Sequence, residues 1–412
     1  MHKYLLKKFL RALNSILMAC ISVSNNLIAV TAKYSSIFLR LSDQKFNLVE
    51  AEPKRPSRFS EFNRELDVAS SAISPCGKWF AYSINNKRMS VWDIDNWQLV
   101  VSKEIPRGAS KICFTADSEK IIVADKSGEV LSFNFDSSEE EGTFLLGHVS
   151  ILLDMILTPD NFIITCDRDE KIRVSHYPNS YNIQTYCLGH EEFVTSINLF
   201  SASAKIILSG SGDGTIRFWN YLTGAELSVY NCSNDVQPDT EKPIPVTEVQ
   251  LTQFDPTLQI ACVSLHKHNE VLVYRITNSL NVILSQRISL PKPPLYILLT
   301  GEKDLWALEN QGVQVYSLDR DKKSFIASSS NKFKTALEIL NKHIAAFSPP
   351  IEESSDISVL YKEHMMKYKI ISKGKKQEHP EDLVIQTMMS LLSRIFNLVN
   401  TPLNGSVSIS GL

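Results

Sequence analysis

The stretch IILSGSGDGTIRFWN, residues 206–220, reads as two strands joined by a tight turn. Apolar residues fill Ile206–Leu208 and recur at Ile216, Phe218 and Trp219, while Gly210, Gly212 and Gly214 surround Asp213 between them. That is strand, turn chemistry, strand. Upstream stands the pair Gly189-His190, and another Gly-His pair, Gly147-His148, lies 42 residues earlier. The residue types complete one another. His190 can reach Asp213 in the turn, and Ser209 on the preceding strand can meet the indole N–H of Trp219. A buried polar chain of this kind needs a partner for every member, which restricts both residue type and spacing.

The order Gly-His, strand, Ser-Gly-Asp-Gly turn, strand ending in Trp resembles a WD repeat, the four-stranded blade of a β-propeller. Read in register with Trp219, equivalent strand ends fall at Trp92, Phe133, Ser175, Tyr274 and Tyr316, with a further one near Arg40. From Trp92 onward the steps are 41, 42, 44, 55 and 42 residues, and the long one holds the polar segment NCSNDVQPDTEKPIP. The fold class is therefore all-β: a seven-bladed WD-repeat β-propeller over residues 18–330, with a short helical, Lys-rich C-terminal extension. Residues 1–17 form a leader, expected to be disordered or misannotated, since the apolar run after Lys7 and Lys8 is broken by Asn and Ser and makes a poor membrane span. Residues 331–380 are the extension, with a basic helix within YKEHMMKYKIISKGKK, 361–376. Residues 381–412 are an apolar helix-like segment and a disordered tail.

The whole chain of 412 residues is 43% hydrophobic with a formal net charge of −2, so it has core to bury and no global basic field to draw it onto nucleic acid or membrane. Seven cysteines without a CxxC pair fit reduced, mostly buried thiols better than a disulfide frame or a zinc site. His266 and His268 have no third ligand nearby and read as a polar turn. No phosphate loop or nucleophile elbow is present. The reading is of a platform, with no catalytic, cofactor or metal residues of its own.

One cluster is left over: six charged residues between Asp167 and Arg173, in CDRDEKIRVSHYP, 166–178. Laid under 210–219, it puts Thr165 at the strand Ser position, Asp169 at the turn Asp position and Ser175 at the Trp position. Asp169 is then expected to bond His148. Glu170 and Lys171 replace Gly-Thr, and with Arg173 and Arg168 they are expected to project outward from one face. Charges of both signs at short range suit register-fixing at a protein interface better than phosphate binding.

Residues 145–197, and above all DRDEKIRVS with the following CLGHEEFV, resemble the non-catalytic WD-repeat subunit of the eukaryotic tRNA (guanine-N7)-methyltransferase. ADKSGEVLSF, 124–133, matches as well. The resemblance implies a heterodimer with a separate catalytic subunit, which holds S-adenosylmethionine and methylates guanine N7 at position 46 of tRNA. It implies that Glu170, Lys171 and Arg173, with Arg168 beside them, are the docking charges. It also implies that Lys362, Lys367 and Lys369 approach tRNA or the partner, that the complex is nuclear and also open to the cytoplasm, and that no membrane is involved. Composition alone equally allows a general WD scaffold, such as a ubiquitin-ligase substrate receptor or a chromatin adaptor.

Overall fold

The computed structural model describes residues 19–346 apart from 25–26, 33–34, 41–45, 51–67, 85–86, 135–141, 202, 237–241, 310–311 and 329–330. The leader 1–17, the basic segment 361–376 and residues 381–412 lie outside the described residues. Strands β1–β28, numbered in chain order, form seven four-stranded antiparallel sheets, each built from four consecutive strands. The first strands of successive sheets lie side by side: β1 (Ala19–Val23), β5 (Val68–Ile73), β9 (Ala109–Phe114), β13 (Leu152–Leu157), β17 (Val194–Ser201), β21 (Val246–Asp255) and β25 (Tyr296–Leu299). Because β25 also meets β1, the ring closes into a seven-bladed propeller.

All seven strand ends read from the sequence fall on the third strand of a blade. Arg40 ends β3 (Ser35–Arg40), and Trp92 and Phe133 lie in β7 (Arg88–Asp93) and β11 (Glu129–Asn134). Ser175 and Trp219 lie in β15 (Ile172–His176) and β19 (Thr215–Asn220), and Tyr274 and Tyr316 in β23 (Glu270–Thr277) and β27 (Gly312–Asp319). Burial explains why the pattern was readable. Second strands are covered on both faces by neighbouring blades, so β14 (Phe162–Asp167) and β26 (Asp304–Glu309) are buried at every position. Outer strands face solvent, and β20 (Glu226–Asn231) has no buried residue.

The C-terminal extension is helical where it is described, as expected from the sequence. The described helix, α1, is Asn331–Ala346, ahead of the basic segment where a helix was expected. Phe333, Ala336, Leu340 and Ile344 form its buried stripe, while Lys334, Thr335, Glu338 and Lys342 are exposed. The stripe packs on Ile28, Val30, Ile37 and Leu39 of the first blade and on Trp306, Leu308, Val313 and Val315 of the last. Phe333 meets Trp306 edge to face, with centroids 5.2 Å apart. Asn341 Oδ1 accepts the backbone N–H of Val313 at 2.8 Å. Among the described residues no strand from one end of the chain completes the sheet at the other. The seam is instead covered by α1, each fully buried large side chain contributing about 1.5–3 kcal/mol.

Candidate docking site on the fourth blade

Blade 5 sets the standard. His190 Nδ1 pairs with Asp213 Oδ2 at 2.9 Å, and its Nε2 lies 2.7 Å from Ser209 Oγ. Trp219 Nε1 donates to the same Ser209 Oγ at 2.8 Å. Asp213 Oδ1 closes the turn by accepting from the N–H and hydroxyl of Thr215. Burial opposes charge on Asp213, yet the bonds from His190 and Thr215 outweigh it and hold the carboxyl well below the usual carboxylate range. Burial also lowers the pKa of His190, against the pull of Asp213. The expected geometry of His190, Ser209, Asp213 and Trp219 is present.

Blade 4, made of β13, β14, β15 and β16 (Ile183–Cys187), builds the same network from different positions. His148 Nε2 lies 2.8 Å from Thr165 Oγ1, at the position read from the sequence. Its Nδ1, however, pairs with Asp167 Oδ2 at 2.9 Å, and not with Asp169. Asp167 ends β14 and can serve the His and the turn together: its Oδ1 accepts the backbone N–H groups of Asp169 and Lys171 at 2.9 and 3.0 Å. Asp125 caps the corresponding turn of blade 3 in the same way, through Ser127 and Glu129. The recurrence of Asp at this place in ADKSGE and CDRDEK was the available signal. Asp169 is left beside Arg168, whose Nε is 3.5 Å from Asp169 Oδ1.

Arg173 is the second correction. The residue is only 8% exposed. Its Nε donates to Ser175 Oγ at 2.9 Å, Nη1 to the carbonyl of Gly147 at 3.0 Å and Nη2 to the carbonyl of Ser180 at 3.0 Å. The small Ser175, standing where blade 5 has Trp219, offers a hydroxyl for the guanidinium. Burial pulls the Arg173 pKa down from its ordinary value. Arg173 is a brace inside the blade and does not point outward. Arg217, its counterpart, is tied down too, with Nη2 3.3 Å from Asp213 Oδ2 and Nη1 2.8 Å from Glu226 Oε2.

In the rest of the cluster Glu170 is half-buried and Lys171 faces solvent. Lys171 is exposed and makes no ion pair among the described residues. Glu170 has φ +66°, at the turn position that has φ +98° at Gly128 and φ +77° at Gly214. A Cβ at Gly128 would lie 2.5 Å from the carbonyl oxygen of His148, and one at Gly214 would lie 2.9 Å from the side chain of Pro243. Only glycine fits those two turns, whereas blade 4 leaves room for a side chain and accepts left-handed backbone at a non-glycine residue, as blade 2 does at Lys87. Arg168 is largely buried, and its backbone N–H bonds the Ile151 carbonyl at 3.0 Å. Lys362, Lys367 and Lys369 lie outside the described residues.

Seven four-stranded blades in a closed ring, with the His–Ser–Asp–Trp network complete in blade 5 and rebuilt around Thr165 and Asp167 in blade 4, define a WD-repeat propeller. The family model described as "tRNA methyltransferase TRM82 WD40 domain" matches residues 134–339. The tRNA (guanine-N(7)-)-methyltransferase non-catalytic subunit wdr4 of Danio rerio is 31% identical over 355 residues, covering 83% of this chain and 85% of that protein. The Homo sapiens counterpart, WDR4, is 41% identical over 161 residues, 39% of each chain. The Drosophila melanogaster counterpart, wuho, is 34% identical over 219 residues, covering 52% of this chain and 49% of that protein. In solved structures, U3-55K aligns with a TM-score of 0.59 at 19% identity, covering 71% of this chain and 88% of that one. A chain of the mitotic checkpoint complex aligns at 0.59 and 13%, covering 75% and 89%. These two share the fold alone. The chain belongs to the family of WD-repeat proteins represented by the tRNA methyltransferase TRM82 WD40 domain.

Proposed function

We propose that this protein is the non-catalytic subunit of a tRNA (guanine-N7)-methyltransferase, a propeller that binds and steadies a separate catalytic subunit through the β14–β15 turn of blade 4. Relatives spanning most of the chain carry that name. The observation that carries the site is Glu170. Left-handed backbone costs a non-glycine residue roughly 1–2 kcal/mol, so an acid held there beside the exposed Lys171 points to use of the side chain. In this reading the catalytic subunit holds S-adenosylmethionine and performs the methyl transfer to guanine 46 of tRNA, in the nucleus, and the propeller does no chemistry. A contact of Lys362, Lys367 and Lys369 with tRNA belongs to the same proposal.

Glu170 and Lys171 offer opposite charges on one rigid turn, which fixes the register of a partner more than it adds raw affinity. The test is co-expression with the catalytic subunit, comparing wild type with Glu170→Lys, Lys171→Glu. The double reversal should cut co-purification and tRNA N7-methylation while the propeller melts unchanged. Wild-type recovery of the complex would place docking elsewhere. Failure of the wild-type chain itself to capture the subunit would favour a general scaffold, such as a ubiquitin-ligase receptor or a chromatin adaptor.

A further inference from the structure

Thirteen large apolar side chains are exposed among the described residues, and ten of them lie on the outermost strands of their blades. Tyr181 lies in the β15–β16 loop. The remaining two are Val149, 87% exposed, and Leu188, 62% exposed. Both lie on the loops that lead into and out of blade 4, at the same end as the β14–β15 turn, since strands alternate direction within a blade. Val149 sits in the segment whose Ile151 carbonyl accepts the N–H of Arg168 at 3.0 Å. Leu188 follows Cys187, which pairs with Ile172, so it stands across the ladder end from Lys171. The two exposed aliphatics therefore flank the charged turn.

We infer that Val149 and Leu188 are apolar anchors of the docking surface, and that the occupant is the catalytic methyltransferase subunit. The inference rests on the reading of Glu170 and Lys171 given above. The aliphatic pair is continuous with the charged turn, through one backbone hydrogen bond on one side and one strand pairing on the other. A protein interface needs such a centre, because desolvated apolar contacts supply affinity and exposed charges at the rim supply orientation. The partner surface that fits is an apolar patch bordered by a carboxylate that can meet Lys171. In the same Gly-His register the counterpart of Val149 in the next repeat is the charged Glu191, and that of Leu188 in the preceding repeat is Leu146, which is buried where Leu188 is bare.

The experiment measures affinity of the full chain for the purified catalytic subunit, with thermal melting of every variant alongside. Val149→Ser with Leu188→Ser should weaken binding by about tenfold or more without moving the melt. Leu227→Asp with Val229→Asp, equally exposed on the outer strand of blade 5, should stay within about twofold of wild type. Leu188→Asp provides a second, harsher variant at the same place. If the serine pair and Leu188→Asp both bind like wild type while the Glu170–Lys171 reversal weakens the complex, the anchors are wrong and the docking turn stands. If the reversal has no effect either, the docking turn is wrong as well. Equal loss in the blade 5 control would also overturn the assignment.

Discussion

Blades 4 and 5 solve one problem in two ways, and the difference separates structure from display. In blade 5 the turn Asp serves everything: Asp213 holds His190, caps the turn through Thr215 and takes Arg217. Glycines on both sides leave little to present to a partner. In blade 4 the acid moves two residues earlier, to Asp167, which performs the same two structural duties. That shift leaves Asp169 out of the His148 pairing, and the chain places the charged Glu170 and Lys171 after it. A charged loop is thus set on a turn whose geometry is already fixed from beneath.

The largest expected effect breaks the reference blade. Asp213→Ala leaves His190, Thr215 and Arg217 without their acceptor in a buried site, and should cost about 3–5 kcal/mol in urea unfolding. The next test sharpens the correspondence. Asp167→Ala should cost about 2–4 kcal/mol, because it strips both His148 and the turn, whereas Asp169→Ala should change stability by no more than about 0.5 kcal/mol. A larger effect at Asp169 than at Asp167 would refute the assignment. Arg173→Ala should destabilise by about 1–3 kcal/mol, leaving two backbone carbonyls and a hydroxyl without their donor, so any loss of partner binding would come with a lowered melt.

Acid should weaken blade 5 in a defined order. His190 has a lowered pKa when folded, so the unfolded chain takes up its proton first, and stability falls as pH drops through about 6.5. Asp213 is also depressed, so its contribution is full above about 3.9 and is lost as pH falls below that value. Unfolding curves from about pH 7.5 to about pH 2 should therefore steepen at the acid end, and Asp213→Asn should remove the steeper part. The smallest effect has two signs. Glu170→Gly should raise stability by up to about 1 kcal/mol by relieving left-handed backbone, yet weaken the complex with the catalytic subunit. A variant that is both more stable and fully binding would remove the functional reason for Glu170.

Some of this was legible from residues alone. His190, Ser209, Asp213 and Trp219 form a closed set of donors and acceptors, and their spacing admits few other arrangements. Register with Trp219 then located the third strand of all seven blades, even where Ser175 or Tyr316 replaces the Trp. The outcome for Asp169 shows where alignment runs out. Asp167 and Asp169 lie two apart on the same turn, and both are acids. Which one meets His148 depends on where β14 ends. Helix α1 carries its own signal, with Phe333, Ala336, Leu340 and Ile344 at helical spacing, but what that stripe covers depends on the first and last blades coming together.

The sequence by itself determined the repeat, its count and the polar network, because those rest on local pattern and on buried groups that must be paired. Tertiary structure decided the rest. It turned Arg173 inward, onto the carbonyls of Gly147 and Ser180, which lie at the ends of chain segments that meet only in the folded blade. It closed the ring with a helix over the seam, since the apolar faces of the first and last blades come together only when the propeller is complete. It also left Val149 and Leu188 exposed beside Glu170 and Lys171. Exposure belongs to the packed molecule, because an aliphatic residue in a sequence reads the same whether it is covered or bare.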